Sequence, residues 1–211
     1  MESNGPPHPE RRSRREQAGE ATRAALVDTS RALFSSRGYA DVSIDDITQA
    51  TGVTKGALYH HFEDKRALFQ AVVEAVEGDL SAEVRRRARQ AGDPWAQLQT
   101  ACAAYLDACL ATDVQRIVVL DAAPVLGWRV WCDIDKRHGL GVFEEYLSAA
   151  RDAGLIAVGA IDTAAQLLLG ALNTGARVVT DAADKAATRR EVGHTIDRIL
   201  SGFRAARGRA R

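Results

Sequence analysis

One stretch, residues 43–62, constrains the fold of this chain more than any other. It reads SIDDITQATGVTKGALYHHF. Ser43 with Asp46 three positions later is typical of a helix N-terminus, because a hydroxyl and a carboxylate at this spacing can accept hydrogen bonds from each other's backbone N–H. Isoleucines then recur at helical spacing, and Gly52 can adopt the left-handed conformation that ends a helix. The first half therefore predicts a short amphipathic helix followed by a tight turn.

The second half predicts another short helix, whose first turn lacks acidic residues. Thr54 is its N-cap, and Lys55 and Gly56 follow. Free N–H groups at a helix N-terminus attract phosphate, which an acidic side chain would repel. Because glycine inside a helix costs about 1 kcal/mol relative to alanine, Gly56 predicts a close approach of this backbone to a groove. Tyr59 and His60 face outward, so the pattern is a helix-turn-helix with a DNA-recognition helix.

The string GVTKGALYHHF at residues 52–62 resembles the N-terminal domain of TetR-family transcriptional regulators, as do the following residues Asp64, Lys65, Leu68 and Phe69. This string is far more specific than a general helix-turn-helix pattern. The resemblance covers residues 22–76 by motif, and the remainder matches in length and helical pattern. One departure is Thr48, where the family usually has alanine; its hydroxyl needs a partner, such as a carbonyl one turn back.

Helical periodicity and the resemblance predict an all-α fold of about nine helices. Residues 20–66 are expected to form a three-helix, helix-turn-helix DNA-binding domain, with a connecting helix over 65–90. Residues 91–211, which follow a Gly-Asp-Pro boundary, are expected to form a helical bundle for effector binding and dimerisation. Within it, residues 128–152 predict one long helix that two glycines weaken in the middle.

The first 19 residues mix proline, glycine, serine and arginine without periodicity, which predicts a disordered basic arm. Its RRSRR run at residues 11–15 either contacts DNA, as basic arms of other DNA-binding domains do, or only solubilises the chain. The formal net charge of the whole chain is zero. Phosphate contacts are therefore expected to be few and local, and non-specific DNA affinity modest.

Several other classes of protein are disfavoured. No apolar run reaches the roughly 20 residues that span a bilayer, and no signal-peptide pattern opens the chain, so a soluble, cytoplasmic protein without membrane association is expected. The family resemblance implies that it is bacterial. The three cysteines, Cys102, Cys109 and Cys132, have no metal-binding spacing and are interpreted as buried free thiols. No cofactor, metal site or catalytic residue is expected.

Enzymatic motifs are likewise missing from the sequence: it contains no G-x-S-x-G, Walker A or H-E-x-x-H pattern. The expected function is a ligand-responsive transcriptional regulator, with repression as the usual role in the family. Two alternatives remain, namely a transcriptional activator of the same fold and a helical protein-binding adaptor that has lost operator binding.

Two recognition helices on a dimer could read half-sites about 34–36 Å apart, or a multiple of that distance, in an inverted-repeat operator of double-stranded DNA. Thr54, Lys55 and Tyr59 are expected at base edges or a thymine methyl. Ser43, His60 and Lys65 are expected at phosphates, and Gly56 allows the close approach. The alternative for His60 and the next histidine is a solvated turn and a ring at the edge of the core.

Aromatic residues are dense in the second half of the chain and predict a small-molecule pocket for an apolar or aromatic effector. The predicted effector-binding residues are Trp95, Tyr105, Asp121, Trp128, Trp131, Asn173 and Arg177. The effector would be cationic if Asp121 or Asp135 faces inward beside a tryptophan. The alternative is that these aromatic side chains only fill the core.

The last two predicted helices, residues 161–183 and 185–207, carry more apolar surface than one bundle helix needs. The resemblance implies that they form a homodimer as a four-helix bundle. Small residues, Gly170, Ala171, Gly175 and Ala176, would let the helices approach closely. The alternative is that their apolar stripes only close the core of the monomer. In the mechanism that the resemblance implies, effector binding favours a dimer whose recognition helices no longer fit the operator.

Overall fold

A computed structural model describes the backbone of residues 9–205 and the side chains of residues 16–205. Within that range the chain is all-α and forms nine helices, which confirms the predicted fold class. They are α1 (Pro9–Arg37), α2 (Ile44–Thr51), α3 (Lys55–His61), α4 (Lys65–Ala88), α5 (Pro94–Ala108), α6 (Val114–Ala122 continued by Ala123–Leu126), α7 (Trp128–Asp135, Lys136–Leu140 and Gly141–Asp152), α8 (Ile161–Asp181) and α9 (Lys185–Ser201).

The chain divides into two compact units within α4. The first, called the head, is Met1–Val72, and the second, called the body, is Val73–Arg211. In the head, α1, α2, α3 and the start of α4 enclose a core of buried side chains. Phe34 on α1 and Phe69 on α4 meet edge to face with ring centroids 5.2 Å apart. The other large members of this core are Leu26, Val42, Ile47, Leu58, Phe62 and Leu68.

The first helix begins earlier than the sequence analysis predicts. The disordered arm was expected to reach residue 19, but residues 9–19 continue α1. Pro9 occupies the first helical position, where its missing N–H costs nothing, and arginine, glutamate, glutamine and alanine follow, all of which favour a helix. The side chains of the RRSRR run lie outside the described residues, so its expected role stays a prediction.

In the body, α5 packs against the last part of α7 and against α9, and α8 packs against α7 and α9. The long-helix prediction for residues 128–152 is correct in extent. However, its middle, Lys136–Leu140, is π-helical, as is Val114–Ala122 in α6. A Cβ atom on Gly139 would lie 3.3 Å from Oδ1 of Asp135 and 3.4 Å from Leu169. Glycine therefore gives this turn the room to pack closely against α8.

The last helix is shorter than predicted. It ends at Ser201, and the chain then turns to run beside the segment that follows α7. The backbone N–H of Ala157 donates to the carbonyl of Phe203 at 2.8 Å, and that of Ala205 to Leu155 at 3.2 Å. Over residues 202–205, the described part of the end of the chain, these long-range backbone bonds replace the helix that the local pattern predicts.

Candidate DNA-recognition helix and effector cavity

The entry to α2 is fixed by reciprocal capping. Ser43 Oγ accepts a hydrogen bond from the backbone N–H of Asp46 at 3.1 Å, and the Asp46 carboxylate accepts one from the backbone N–H of Ser43 at 2.7 Å. The Ser43 hydroxyl also donates to this carboxylate, and together with Arg37 these bonds hold the pKa of Asp46 well below its ordinary value. The hydroxyl of Thr48 donates to the carbonyl of Asp45 at 3.1 Å, which is the partner one turn back that its position required.

The turn and the start of α3 follow the predicted pattern. Gly52 has φ 72°, in the left-handed region that glycine tolerates best, and it ends α2. Thr54 Oγ1 accepts from the backbone N–H of Ala57 at 3.1 Å, and the first turn of α3 has no acidic residue. Leu58 is fully buried, whereas Tyr59 is 51% exposed. One face of α3 is thereby anchored in the head core and the opposite face is open.

Gly56 lies on that open face, and no packing contact inside the head requires a glycine there. A Cβ atom at this position would meet nothing closer than Thr54 Oγ1, 3.9 Å away. The helical cost of glycine is therefore not compensated by any contact inside the head. This is the property expected of a backbone that another molecule approaches.

The lysine beside it is already paired. Lys55 Nζ lies 2.5 Å from Asp45 Oδ1, and this hydrogen bond raises the pKa of Lys55. Lys55 was predicted at base edges, and no partner within the protein was predicted for it. Both side chains are well exposed, so the pair is screened by solvent and is easily exchanged for another anion.

Lys65 has a structural role that was not predicted from the sequence. Its Nζ donates to the carbonyls of Tyr39 and Val42 at 2.8 and 2.7 Å and lies 4.0 Å from the centroid of the Tyr39 ring. Burial lowers the pKa of this ammonium group. Since an ammonium has three N–H donors, one remains for the predicted phosphate contact. His60 is exposed and meets the half-buried ring of His61 at 5.2 Å.

The body contains two adjoining cavities beside α7. One has a volume of about 210 Å³ and the other about 150 Å³, and they share walls formed by Trp128, Trp131, Asn173 and Thr174. The indoles of Trp128 and Trp131 lie 4.9 Å apart and are inclined at 40°. We call the two spaces together the effector cavity.

Five of the seven predicted effector residues line this cavity, namely Tyr105, Trp128, Trp131, Asn173 and Arg177. The other two do not. Trp95 is buried elsewhere, with the Arg204 guanidinium 4.3 Å from its ring centroid. Asp121 points to Arg116, at 3.3 Å. Helical spacing alone does not distinguish these positions, because the wall of the cavity is set by how α5, α6, α7 and α8 pack together.

A chain of polar side chains runs along the cavity. The hydroxyl of Tyr105 donates to Asn173 Oδ1, and Asn173 Nδ2 donates to Asp135 Oδ2 at 3.0 Å. Asp135 is only 8% exposed, its other oxygen has no hydrogen-bond partner, and burial raises its pKa to about 6. The indole N–H of Trp131 is also buried without a partner.

Close to this carboxylate is a second buried acid, Glu77 of α4. It is 1% exposed and neither of its oxygens has a hydrogen-bond partner. Burial, with the charge of Asp135, raises the pKa of Glu77 to about 8. Glu77 was not predicted from the sequence. It lies four residues after Val73 and three before Leu80, which are also buried, and this helical spacing could have placed it on the buried face of α4.

The last two helices show that the apolar stripes named from the sequence mostly close the body core. Leu168, Leu172 and Val179 are buried, and a Cβ on Gly175 would lie 2.6 Å from Val192 Cγ1, so this glycine permits the close contact of α8 with α9 within one chain. A different set of apolar residues is exposed: Leu167 at 70%, Val178 at 49% and Ile199 at 39%. With Gly170 and Ala171 they border an open hollow of about 610 Å³, and we call this surface the outer face.

Comparisons with known proteins agree with this architecture. Residues 26–72 match the family model described as bacterial regulatory proteins, tetR family, and residues 95–203 match the tetracyclin repressor-like, C-terminal domain. A solved TetR-family transcriptional regulator from Pectobacterium atrosepticum is 33% identical, with 90% of this chain and 97% of that one covered and a TM-score of 0.80. RolR, solved in complex with resorcinol, is 20% identical, with 87% and 89% covered and a TM-score of 0.71.

Among curated relatives, the transposon Tn10 TetC protein of Escherichia coli is 30% identical over 119 residues. That match covers 56% of this chain and 60% of TetC, and the matches to the regulators AcrR of Shigella flexneri and TtgR of Pseudomonas putida cover 48% and 30% of those proteins. The fold and the family models define a helix-turn-helix transcriptional regulator with a helical C-terminal body. The chain belongs to the TetR family, a non-enzymatic family of DNA-binding transcriptional regulators, which confirms the resemblance and the expectation that it is not an enzyme. No helix among residues 9–205 has the length and apolar character to cross a bilayer.

Proposed function

We propose that this protein is a dimeric repressor that binds an inverted-repeat operator through α3 and releases it when a small apolar or aromatic effector enters the body. The observation that carries the proposal is the open face of α3: its first turn has no acidic residue, and Gly56 lies there without any packing need. Free N–H groups and a backbone without side-chain bulk suit contact with the phosphates and floor of a groove.

The predicted DNA contacts take more definite roles in this geometry. Thr54 and Tyr59 are exposed beside Gly56 and would meet base edges or a thymine methyl. Lys55 would exchange Asp45 for a guanine or a phosphate. Ser43 and His60 would bind phosphates, and Lys65 would use its remaining N–H in the same way while it holds the loop before α2.

Dimerisation through the outer face supplies the second recognition helix. Leu167, Val178 and Ile199 are large apolar side chains exposed on α8 and α9, and contiguous apolar surface of this kind marks interaction sites. Gly170 and Ala171 would let α8 approach its symmetry mate closely. A twofold pairing of the same patch on each protomer gives two recognition helices and hence a palindromic site.

The effector cavity supports ligand control. It is concave, mostly apolar and has a few polar groups along one wall, as small-molecule sites do. RolR, which has a similar fold, was solved with resorcinol, and by analogy we propose a small aromatic ligand for this chain. The effector would bind more tightly to the form of the dimer that fits the operator poorly, so that operator affinity falls. Helix α4, which belongs in part to each unit, would carry the change.

The test measures binding of the full chain, by fluorescence anisotropy, to the promoter region beside its own gene and to random duplex. We expect a preference for one inverted repeat that is lost in the double variant Lys55→Ala, Tyr59→Ala and kept in Arg151→Ala, an exposed position in the body. If the double variant kept its operator affinity, α3 would not be the helix that reads the operator. Absence of any preferred palindrome would instead favour a protein-binding adaptor, and a rise in reporter transcription on binding would indicate an activator.

A further inference from the structure

The effector cavity contains a buried negative charge that its neighbours leave unneutralised. Asp135 lines the larger space, and its Oδ1 has no hydrogen-bond partner although only 8% of the residue is exposed. The second oxygen, Oδ2, accepts from Asn173. Burial of a carboxylate that lacks a full set of hydrogen-bond donors is costly. The site is therefore built to receive a donor.

The buried neighbours of Asp135 do not cancel this charge. Glu77 lies close to it, has no hydrogen-bond partner on either oxygen, and carries no positive charge that could neutralise it. Asn173, the one described donor to Asp135, has its own carbonyl occupied by the Tyr105 hydroxyl. The cavity wall at Asp135 therefore presents a carboxylate beside neutral dipoles, an environment that repels an anion and attracts a cation.

The cationic side chains near the cavity lie at its exposed edge. Lys136 is solvent-exposed, and Arg177 is 61% exposed with its Nε 3.9 Å from Asp181. Exposed charges act through high dielectric and are screened by salt, whereas a buried carboxylate is screened far less. The inner acid therefore decides the charge of a ligand that reaches the end of the cavity.

The rest of the wall is aromatic. Trp128 and Trp131 lie together, and Leu140 and Leu169 complete the apolar lining. Indole faces attract cations as well as apolar rings. Gly139 makes room for Asp135 Oδ1 and for the neighbouring Leu169, because a Cβ atom at position 139 would lie 3.3 Å from that oxygen.

From this arrangement we propose that the effector is a small aromatic or apolar amine, bound as its ammonium ion, whose N–H groups donate to the Asp135 carboxylate while its apolar body packs against Trp128 and Trp131. The proposal rests on the proposed function, since it names the ligand class of the same cavity. It excludes carboxylates and phosphates as effectors of this site. It also ranks neutral hydroxyl donors below amines of the same shape, because a charged donor forms the stronger hydrogen bond with a carboxylate.

Three probes of one shape separate these ligand classes: 1-naphthylmethylamine, which is cationic near neutral pH, 1-naphthalenemethanol, which is neutral, and 1-naphthoate, which is anionic. Calorimetric titration of the full-length protein at pH 7.5 should give an affinity for the amine at least tenfold above that for the alcohol, with the anion weakest. The variant Asp135→Asn keeps an acceptor for Asn173 but removes the charge, and it should lower amine affinity at least tenfold while alcohol affinity changes less than threefold.

Two further variants keep the test decisive. Asp133→Asn removes an exposed carboxylate two residues away and should leave all three affinities unchanged. Trp128→Ala truncates a side chain that is 70% exposed, so the fold should tolerate it, and it should weaken the amine and the alcohol alike.

Equal affinities for amine and alcohol in the native protein, or amine binding that survives Asp135→Asn, would overturn the inference and leave an effector site in place. If none of the three probes bound, the inference and the effector part of the proposed function would both fall. Operator binding, measured separately, would be unaffected by either result.

Discussion

The head and the body present their functional surfaces in opposite ways. In the head, five of the predicted DNA contacts come from one seven-residue helix and its N-cap, so neighbours in sequence are neighbours on the surface: Thr54, Lys55, Gly56, Tyr59 and His60. In the body, the effector cavity is lined by side chains from four helices, α5 to α8, which are as far apart in sequence as Tyr105 and Arg177. The head residues are exposed, while the cavity wall includes a buried acid, Asp135, beside indoles.

This difference has an energetic consequence. Exposed side chains in the head that cap no helix cost the fold little, so substitution of Lys55, Tyr59 or His60 should alter DNA binding and leave stability almost unchanged. Buried groups in the body carry desolvation costs, so their substitution should alter stability and ligand binding together. Variants that separate these two responses test whether the division is correct.

The largest effect is expected on the outer face. Replacing Leu167 and Val178 together by aspartate places charge on the proposed dimer surface, yet both side chains are exposed in the protomer, so its fold should persist. We expect monomers in analytical ultracentrifugation and a loss of operator affinity of about a hundredfold or more, because the second head no longer binds intramolecularly. Leu110→Asp is the control, because this leucine is 38% exposed and does not border the outer face. A double variant that remains dimeric would exclude the outer face as the interface.

The next effect concerns Glu77 and pH. Its pKa is raised to about 8 from an ordinary value near 4.5, chiefly by burial and then by the Asp135 charge. A raised carboxyl pKa means that the folded state holds the proton more tightly. This contribution to stability is fully present below about pH 4.5 and is lost as pH rises through 8. The body should therefore become steadily less stable over this interval.

Glu77→Gln should remove that dependence. Each unit by which the pKa is raised corresponds to about 1.4 kcal/mol, and we expect the variant to melt at least about 4 °C above the native protein at pH 8.5. The difference in melting temperature between the two proteins should narrow toward pH 5. Glu83→Gln, on the exposed side of the same helix, should change little because its pair with Arg86 is a surface pair. Parallel melting curves for the Glu77 variant and the native protein would contradict the assigned burial cost.

Gly56 offers the clearest separation of stability from DNA binding. Gly56→Ala should stabilise the head by about 1 kcal/mol, since alanine favours a helix and its Cβ meets only Thr54 at 3.9 Å. The same methyl group should lower operator affinity about tenfold, equivalent to about 1.4 kcal/mol, by blocking the close approach. Gly19→Ala in α1 is the matched control, with an ordinary contact at 3.9 Å to His61. It should stabilise without weakening DNA binding. If Gly56→Ala bound the operator as well as the native protein, the backbone of α3 would not approach the groove closely.

The same contrast explains how much could be predicted from the sequence. The caps of α2 and α3, the left-handed Gly52 and the nine helices depend on residues a few positions apart, and they were predicted correctly. Trp95 and Trp128 both lie at helical spacing, but one is 8% exposed beneath an arginine and the other 70% exposed at the cavity. No local signal distinguishes them, since the difference arises from helices that are far apart in sequence.

The cations of the head show the same limit. Lys65 was predicted to contact a phosphate. However, its ammonium group donates hydrogen bonds to two backbone carbonyls that precede it by 26 and 23 residues. The pairing of Lys55 with Asp45 likewise joins two helices across the turn. In each case the charge could be predicted, while its partner depended on how the helices of the head pack.

The smallest predicted effect concerns that pair. Asp45→Asn should free Lys55 and remove a negative charge from the proposed DNA surface, so operator affinity should rise a fewfold at low salt. The gain should shrink as salt increases, because both side chains are exposed and screened. Asp28→Asn, an exposed acid on α1, controls for the change in net charge. If Asp45→Asn left affinity unchanged while Lys55→Ala reduced it, Lys55 would contact DNA without leaving Asp45. In that case the carboxylate would orient the lysine in the complex rather than compete with DNA for it.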